Sequence, residues 1–218
     1  MKIKIDYLNR NILLGLALLI VVALFIFNSS WLAKYSIYAR LLAMFPLLVI
    51  IGLLKKRTNN FISGFVGEQD IDVELKSLGT DFICINGGLD TGRGNIDKIV
   101  LGPTGVWTLE VKSHSGHFTF NGDVLLRNNL EKTSFLKQAY TEAKTLEDLI
   151  RLKQNIEIKV QPVVVLSNKF AKVRLGLNRY KGVYVIQKGW LNKLITETHV
   201  QNLDTATALR IKGILDTG

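Results

Sequence analysis

Two long apolar runs near the N-terminus constrain this chain more than any other feature of its sequence. Residues 12–27 contain no charged residue, and residues 41–54 are apolar throughout. A helix needs roughly 17–25 predominantly apolar residues to cross a bilayer, and both runs reach that length when their immediate flanks are included. We therefore predict a membrane anchor that ends at residue 57 and contains two transmembrane helices, at about 11–28 and 36–54.

Basic residues around the two runs set the expected orientation. Three precede the first run, three follow the second, and two lie between them: Lys2, Lys4 and Arg10; Lys55, Lys56 and Arg57; Lys34 and Arg40. With Asp6 as the single acid, residues 1–57 hold eight basic residues and one acidic one, which is +7 of the formal net charge of +10. Because Lys and Arg are enriched in cytoplasmic loops, we expect a multi-pass protein of a bacterial-type inner (cell) membrane, with both ends cytoplasmic.

The remaining residues, 58–218, alternate between helix and strand patterns after a short polar link at 58–63. Helices are predicted at 65–78, 133–153, 190–196 and 205–215, and strands at 82–85, 96–101, 106–112, 118–120, 124–127, 158–166 and 183–186. The run at 158–166 is apolar in the way of a strand buried on both faces of a sheet. This order predicts an α/β domain.

A short turn between two of these strands brings two acidic residues together. If Pro103 and Thr104 form a two-residue turn, the numbers of paired residues sum to 207, and Asp97 lies across from Glu110. Directly opposed Cβ atoms are about 4.5–5.5 Å apart. The alternative is a three-residue turn with a bulge at Gly105, which shifts the register by one residue.

The predicted acidic pair suits a hard divalent cation. Two carboxylates this close repel each other unless a cation lies between them, and Mg²⁺ binds one or two carboxylates while it keeps several waters. Lys112 shares a face with Glu110 because residues i and i+2 of a strand point the same way. Its ammonium is suited to orienting or deprotonating an attacking water, or to offsetting charge on a phosphate. The alternative is a set of ordinary surface charges on a half-exposed strand.

These residues also resemble the motifs of a known family. Gly67-Glu68, then Gly94-Asn95-Ile96-Asp97, then Gly105-Val106 followed by Glu110-Val111-Lys112, and finally Gly116 are similar to the nuclease-related domain (NERD) family of the PD-(D/E)XK nuclease superfamily. The resemblance covers roughly residues 62–170. It implies a restriction-endonuclease-like mixed β-sheet flanked by helices, within a domain at 58–218.

The resemblance also implies an activity and the residues that carry it. The implied reaction is hydrolysis of phosphodiester bonds in DNA or RNA with Mg²⁺ (or Mn²⁺). Carried over to this sequence, the catalytic residues are Glu68, Asp97, Glu110, Lys112 and Gln138, of which Asp97, Glu110 and Glu68 are the metal ligands. Gln138 matches a polar position on the following helix, although Glu142 stands where the superfamily has a tyrosine.

A basic segment follows the matched motifs. Between Glu157 and Glu197 the chain has no acidic residue, and its tyrosines and tryptophan, Tyr180, Tyr184 and Trp190, are interleaved with eight basic residues: Lys159, Lys169, Lys172, Arg174, Arg179, Lys181, Lys188 and Lys193. This composition is typical of a surface for a phosphate backbone or of one attracted to anionic lipid, and both interpretations remain open. The predicted substrate contacts are Arg93 in the glycine-rich loop and Lys172, Arg174 and Lys181 here.

The single cysteine, Cys84, excludes a disulfide framework and a cysteine-based zinc site within one chain. Its apolar neighbours predict a buried thiol. The alternative to a nuclease is a non-catalytic, membrane-tethered module on the same fold, which binds nucleic acid or lipid.

Overall fold

The structure, a computed structural model, describes residues 15, 17, 20, 22, 37–87 and 95–216. The chain divides into two compact units, Met1–Ile62 and Ser63–Gly218. Within the described residues the helices are α1 (Ile37–Leu75), α2 (Thr133–Gln154), α3 (Leu191–Glu197) and α4 (Thr205–Asp216), and a 3-10 turn, Lys188–Trp190, precedes α3. The strands are β1 (Ile83–Asn86), β2 (Lys98–Gly102), β3 (Gly105–Lys112), β4 (Gly116–Asn121), β5 (Val124–Arg127), β6 (Leu130–Glu131), β7 (Val160–Leu166), β8 (Ala171–Val173), β9 (Arg179–Tyr180) and β10 (Val183–Gln187).

Helix α1 differs from the expected transmembrane hairpin. The second predicted span, 36–54, is not a separate helix, since α1 runs on through the basic residues that follow it and through the predicted link at 58–63. Thr58 does not interrupt α1, because its hydroxyl donates a hydrogen bond to the carbonyl of Leu54 one turn earlier (2.9 Å). In the described part of the chain, no helix combines the length and the apolar character needed to cross a bilayer. The hairpin is therefore not supported, and most of the first predicted span, 11–28, lies outside the described residues.

The second unit contains two sheets, and the larger one is mixed and flanked by helices, as predicted for this α/β domain. The larger has the strand order β1-β2-β3-β7-β10-β9. Strand β2 is antiparallel to β1 and to β3, whereas β3, β7 and β10 are mutually parallel. The smaller sheet has the order β6-β5-β4-β8 and contains the predicted hairpin at 118–127.

Alternation along the central strands sends successive side chains to opposite faces of the larger sheet. On one face, Trp107 and Leu109 of β3 pack with Ile71 and Leu75 of α1 and with the apolar residues of α3. On the other face, the alternate residues of β2, β3 and β7, whose side chains point the opposite way, pack against α2 and α4. The even-numbered residues of β3, which include Glu110 and Lys112, therefore belong to the α2 side.

The turn between β2 and β3 has the two-residue form, and the bulged alternative is wrong. Gly102 pairs with Gly105 and Lys98 with Leu109, so paired numbers sum to 207 as predicted. Thr104 is buried, and its hydroxyl accepts a hydrogen bond from the Trp107 indole N–H (3.4 Å). Gly105 has a φ of +128°, a conformation that residues with a side chain rarely adopt.

Cys84 is exposed, contrary to the sequence prediction. Strand β1 is an edge strand of the larger sheet, and its residues alternate between half-buried and exposed. The apolar sequence around the cysteine does not reveal which of the alternating side chains of β1 face solvent.

Candidate active site

Asp97 and Glu110 lie side by side on the β2–β3 hairpin. Asp97 directly precedes β2, and the pairing of Lys98 with Leu109 places it across from Glu110. The backbone N–H of Val111 donates a hydrogen bond to Asp97 Oδ2 (2.8 Å), which holds the aspartate side chain against β3. The sequence predicted this pairing, and the two carboxylates are close enough that the charge of Asp97 helps to raise the pKa of Glu110.

A chain of polar contacts extends the site from β3 to α2. Lys112 Nζ is ion-paired with Glu110 Oε1 and donates to Gln138 Oε1 (3.2 Å). Gln138 Nε2 in turn donates to Glu142 Oε1 (3.0 Å). Gln138 and Glu142 are four residues apart on α2 and therefore lie on one face of it. The ammonium of Lys112 is thereby held between a strand carboxylate and a helix amide.

Glu110 is electrostatically unusual. Its side chain is only 3% exposed, and its Oε2 receives no hydrogen bond from any described residue. Burial raises its pKa to about 8, with the charge of Asp97 as the next cause, and the hydrogen bond from Lys112 only partly opposes these effects. Burial also raises the pKa of Asp97, against the hydrogen bond from Val111 and the positive charge of Lys112. This carboxylate cluster is short of positive charge.

Glu142 belongs to the same cluster, and the sequence analysis did not assign it. It is 3% exposed, and its Oε2 also lacks a hydrogen bond from the described part of the protein. Burial raises its pKa, while the hydrogen bond from Gln138 works in the opposite direction. The charge of Glu142 contributes to the raised pKa of Glu110. One signal was available: Glu142 follows Gln138 by one helical turn, among the apolar positions of α2 that face the sheet.

Glu68 is positioned by the close approach of α1 to the sheet. A Cβ on Gly67 would lie 2.4 Å from Ser167 Oγ and 3.2 Å from Ser113 Cβ, so only glycine lets the α1 backbone rest against the ends of β7 and β3. Glu68 itself is exposed. Partial desolvation raises its pKa, and the charge of Asp97 is the next cause, which places Glu68 near the pair without joining it.

The predicted three-carboxylate metal site is not assembled. Within the described ranges, no group of three His, Cys, Asp or Glu side chains is placed to hold one ion. Asp97 and Glu110 alone still fit a hard cation, because Mg²⁺ requires only one or two carboxylates and takes waters as its other ligands. The unpartnered Glu110 oxygen is the observation that favours this fit.

Three of the four predicted substrate contacts lie in the described part of the chain. Lys172 on β8 and Arg174 just after it are exposed, and Lys181 lies in the turn between β9 and β10 with a left-handed φ of +52°. Arg93 lies outside the described residues.

A family model settles the classification of this segment. The model of the nuclease-related domain family, NERD, matches residues 63–167. Residues 63–167 form a nuclease-related domain. No curated protein and no solved structure matches the chain.

The match agrees with the resemblance inferred from the sequence. It begins at the first residue of the second compact unit. It includes all the acidic residues of the site as well as Lys112 and Gln138, and it ends at Ser167, before β8, β9 and β10. The basic residues at 169–193 therefore lie beyond the matched part of the NERD domain.

The site of the NERD domain combines buried carboxylates with one oriented ammonium. Such a pairing is suited to stabilising charge that develops on a phosphate and to holding a water for attack. Cys84 is not an activated nucleophile of this site, since it lies on β1 and partial burial raises the pKa of its thiol.

Proposed function

We propose that the NERD domain hydrolyses phosphodiester bonds of nucleic acid and requires a divalent metal ion, Mg²⁺ or Mn²⁺. The observation that carries this proposal is Glu110, a buried carboxylate with an unpartnered oxygen, next to Asp97. A buried charge is costly unless it is paired or coordinates a metal. The positive charges of Lys112 and Lys98 do not offset the burial of the three carboxyl groups, since the pKa values of Asp97, Glu110 and Glu142 all remain raised. A bound dication would supply the missing charge.

In this proposal Asp97 and Glu110 hold the ion. When bound, it would polarise a phosphoryl oxygen and lower the pKa of a water. Glu110 must be ionised to serve as a ligand, so metal binding releases a proton. Lys112 contacts the phosphate or the attacking water, and Gln138 keeps its ammonium in place through the 3.2 Å hydrogen bond. Glu68, at the exposed rim, is available to reach a water on the same ion.

A second candidate is a non-catalytic binding module on the same fold. It is favoured by the absence of a preassembled three-carboxylate group among the described residues and by Glu142, which stands in the place of a tyrosine. In that case the buried carboxylates would be a remnant without turnover.

Cleavage assays with the full chain separate the two candidates. Labelled single- and double-stranded DNA and RNA serve as substrates. We expect cleavage of at least one of them with Mg²⁺ or Mn²⁺ and no cleavage with EDTA. Asp97→Asn and Glu110→Gln should each abolish cleavage, whereas Glu131→Gln, an exposed glutamate on β6, should leave it unchanged. Metal-independent cleavage, or full activity of Glu110→Gln, would contradict the proposal.

We also propose that the chain is held at a bacterial-type inner membrane, with the NERD domain in the cytoplasm. The support comes from the sequence alone: the two apolar runs at 12–27 and 41–54 and the three basic residues on each outer flank of the pair. Reporters fused before Met1 and after Gly218 should both be cytoplasmic, and a periplasmic C-terminal reporter would overturn this orientation.

A further inference from the structure

Two aromatic side chains stand exposed just after two neighbouring parallel strands. Phe170 follows β7 and is 65% exposed, and Trp190 follows β10 and is 49% exposed. A lysine ammonium lies over each ring: Lys169 Nζ is 5.0 Å from the Phe170 centroid, and Lys193 Nζ is 5.4 Å from that of Trp190. Each position therefore combines an exposed aromatic ring with a positive charge over one of its faces.

Phe170 is fixed next to the candidate active site. Its N–H donates to Asn168 Oδ1 (2.9 Å), and its carbonyl accepts from the N–H of Gly116 (3.2 Å). The amide of Asn168 also donates to the carbonyl of Ser113 (3.1 Å), the residue directly after Lys112. Phe170 is thus held in an exposed position by hydrogen bonds to the chain that leaves the active site.

Trp190 lies at the same edge of the sheet. Strands β3, β7 and β10 are parallel neighbours, so their carboxyl ends, which precede Ser113, Ser167 and Lys188, meet at one edge. Lys188, in the 3-10 turn that carries Trp190, is ion-paired with Asp70 of α1 (2.6 Å), two residues from Glu68.

The segment that carries the two rings is rich in basic residues, of which Lys188 and Lys193 are ion-paired with Asp70 and Glu197. From 158 to 196 the sequence has no acidic residue. Lys172 on β8 and Arg174 just after it are exposed, and Arg174 and Trp190 line one cavity of about 220 Å³. The other aromatic residues of the segment are already engaged: Tyr180 stacks on Phe120 at 3.7 Å, and Tyr184 is buried against Trp107.

We propose that this edge binds single-stranded nucleic acid, with one base stacked on Phe170, another on Trp190, and the backbone near Lys172 and Arg174. The inference rests on the proposed function, since it names the substrate of the same site. A base inside a duplex has both of its faces covered by neighbouring bases, whereas an unpaired base has a face free for an aromatic side chain. Basic residues alone would favour the duplex, which has the higher charge density.

Binding of labelled oligonucleotides to the full chain in EDTA tests the inference without turnover. We expect a single strand to bind more tightly than a duplex of the same sequence. Phe170→Ala and Trp190→Ala should each weaken single-strand binding by about tenfold and leave duplex binding unchanged, which is the usual effect of losing one stacked base. Phe170→Trp should retain the wild-type affinity.

A matched control is Tyr140→Ala. Tyr140 is also exposed, with the Lys144 ammonium 5.9 Å from its ring centroid, but it lines a cavity with Val160 at the opposite, amino end of β7. This variant should bind the single strand like the wild type.

Three outcomes distinguish this inference from its alternatives. Equal binding of both forms, unaffected by Phe170→Ala, overturns it, even if cleavage with Mg²⁺ is observed. Single-strand binding that depends on Phe170 supports it, even if no cleavage occurs and the proposed hydrolysis fails. If Phe170→Ala and Trp190→Ala weaken binding to phosphatidylserine-containing vesicles and not to oligonucleotides, the surface docks on lipid and the inference is wrong.

Discussion

Glu110 of β3 and Glu142 of α2 are buried side by side, and each has an oxygen, Oε2, without a hydrogen bond from the described residues. Lys112 and Gln138 link them, through the ion pair of Lys112 with Glu110 and the hydrogen bonds of the Gln138 amide with Lys112 and Glu142. Like charges that are this deeply buried destabilise a folded protein. Functional sites often retain groups that lower the stability of the folded protein.

The stability of the metal-free protein should therefore depend on Glu110 and pH. Because the pKa of Glu110 is raised from 4.5 to about 8, the folded state binds more protons than the unfolded state between these values, and the free energy of unfolding falls as pH rises through this window. In EDTA at about pH 8.5, the free energy of unfolding of Glu110→Gln should exceed that of the wild type by about 1–3 kcal/mol.

Chemical denaturation at several pH values measures this difference. At about pH 4, below the unfolded-state value, the wild type and Glu110→Gln should be nearly equal, since Glu110 is then protonated in both states. Glu131→Gln should show no difference at either pH. A Glu110→Gln variant that is less stable than the wild type at high pH would contradict the electrostatic argument.

Glu142→Gln should shift metal binding to lower pH. The charge of Glu142 raises the pKa of Glu110, so removing that charge allows Glu110 to ionise and to bind the metal at a lower pH. Titrations with Mn²⁺ across a pH series report the midpoint. Glu157→Gln, on an exposed loop, is the control and should not move it.

Glu142→Ala tests the second role of this residue. Without an acceptor for its N–H, Gln138 loses its orientation toward Lys112, and kcat should fall by about tenfold with little change in KM, as is usual for residues that support a metal site indirectly. Glu142→Gln retains an acceptor and should retain most of kcat. Equal loss in both variants would mean that the charge, and not the hydrogen bond, is required.

Lys112→Ala should separate turnover from metal binding. Loss of the ammonium removes an electrostatic partner of the reacting phosphate, and we expect kcat to fall by roughly 100-fold or more. Because the hydrogen bond from Lys112 also lowers the pKa of Glu110, metal affinity should be compared over a pH series, at the high-pH plateau of each protein. Lys153→Ala, an exposed lysine on α2, is the control. Loss of metal binding at high pH would assign Lys112 a structural role.

Gly67→Ala should disturb the site through α1. The added Cβ would meet Ser167 Oγ at 2.4 Å, so we expect the variant to lose about 1–3 kcal/mol of stability and most activity. Ser167→Ala removes the clashing hydroxyl, which has no hydrogen-bond partner among the described residues, and should partly rescue Gly67→Ala in the double variant. Gly64→Ala, one turn earlier and with nothing near its Cβ, should be neutral. Additive losses in the double variant would show that the contact is not the cause.

The hairpin was predictable because local chemistry determines it. A Pro-Thr pair flanked by glycines permits a two-residue turn, and that turn alone fixes which residues of β2 and β3 oppose each other. Asp97, Glu110 and Lys112 could therefore be placed from their numbers. The sequence pattern did not predict one contact, the hydrogen bond that the backbone N–H of Val111 donates to Asp97.

Features that depend on tertiary packing were not predictable. In the sequence, Glu142 is one of many polar residues on an amphipathic helix, and only the packing of this helix against the sheet buries it. The short strands β6, β8 and β9 have two or three residues each, too few for an alternating pattern, and exist because longer strands lie beside them. Polar residues at 58–63 suggested a link, yet α1 includes them, since no proline stops it there.

The parallel core of the sheet has a consequence for any shortened form of this protein. Strand β7 is buried along its whole length between β3 and β10, and the family match ends one residue after it. A fragment that stopped at Ser167 would lose β10, and one side of β7 would then present a row of unpaired amides and carbonyls on an apolar strand. Exposed edges of this kind recruit other strands, so the fragment should self-associate, and the smallest unit that stays monomeric should extend through β10.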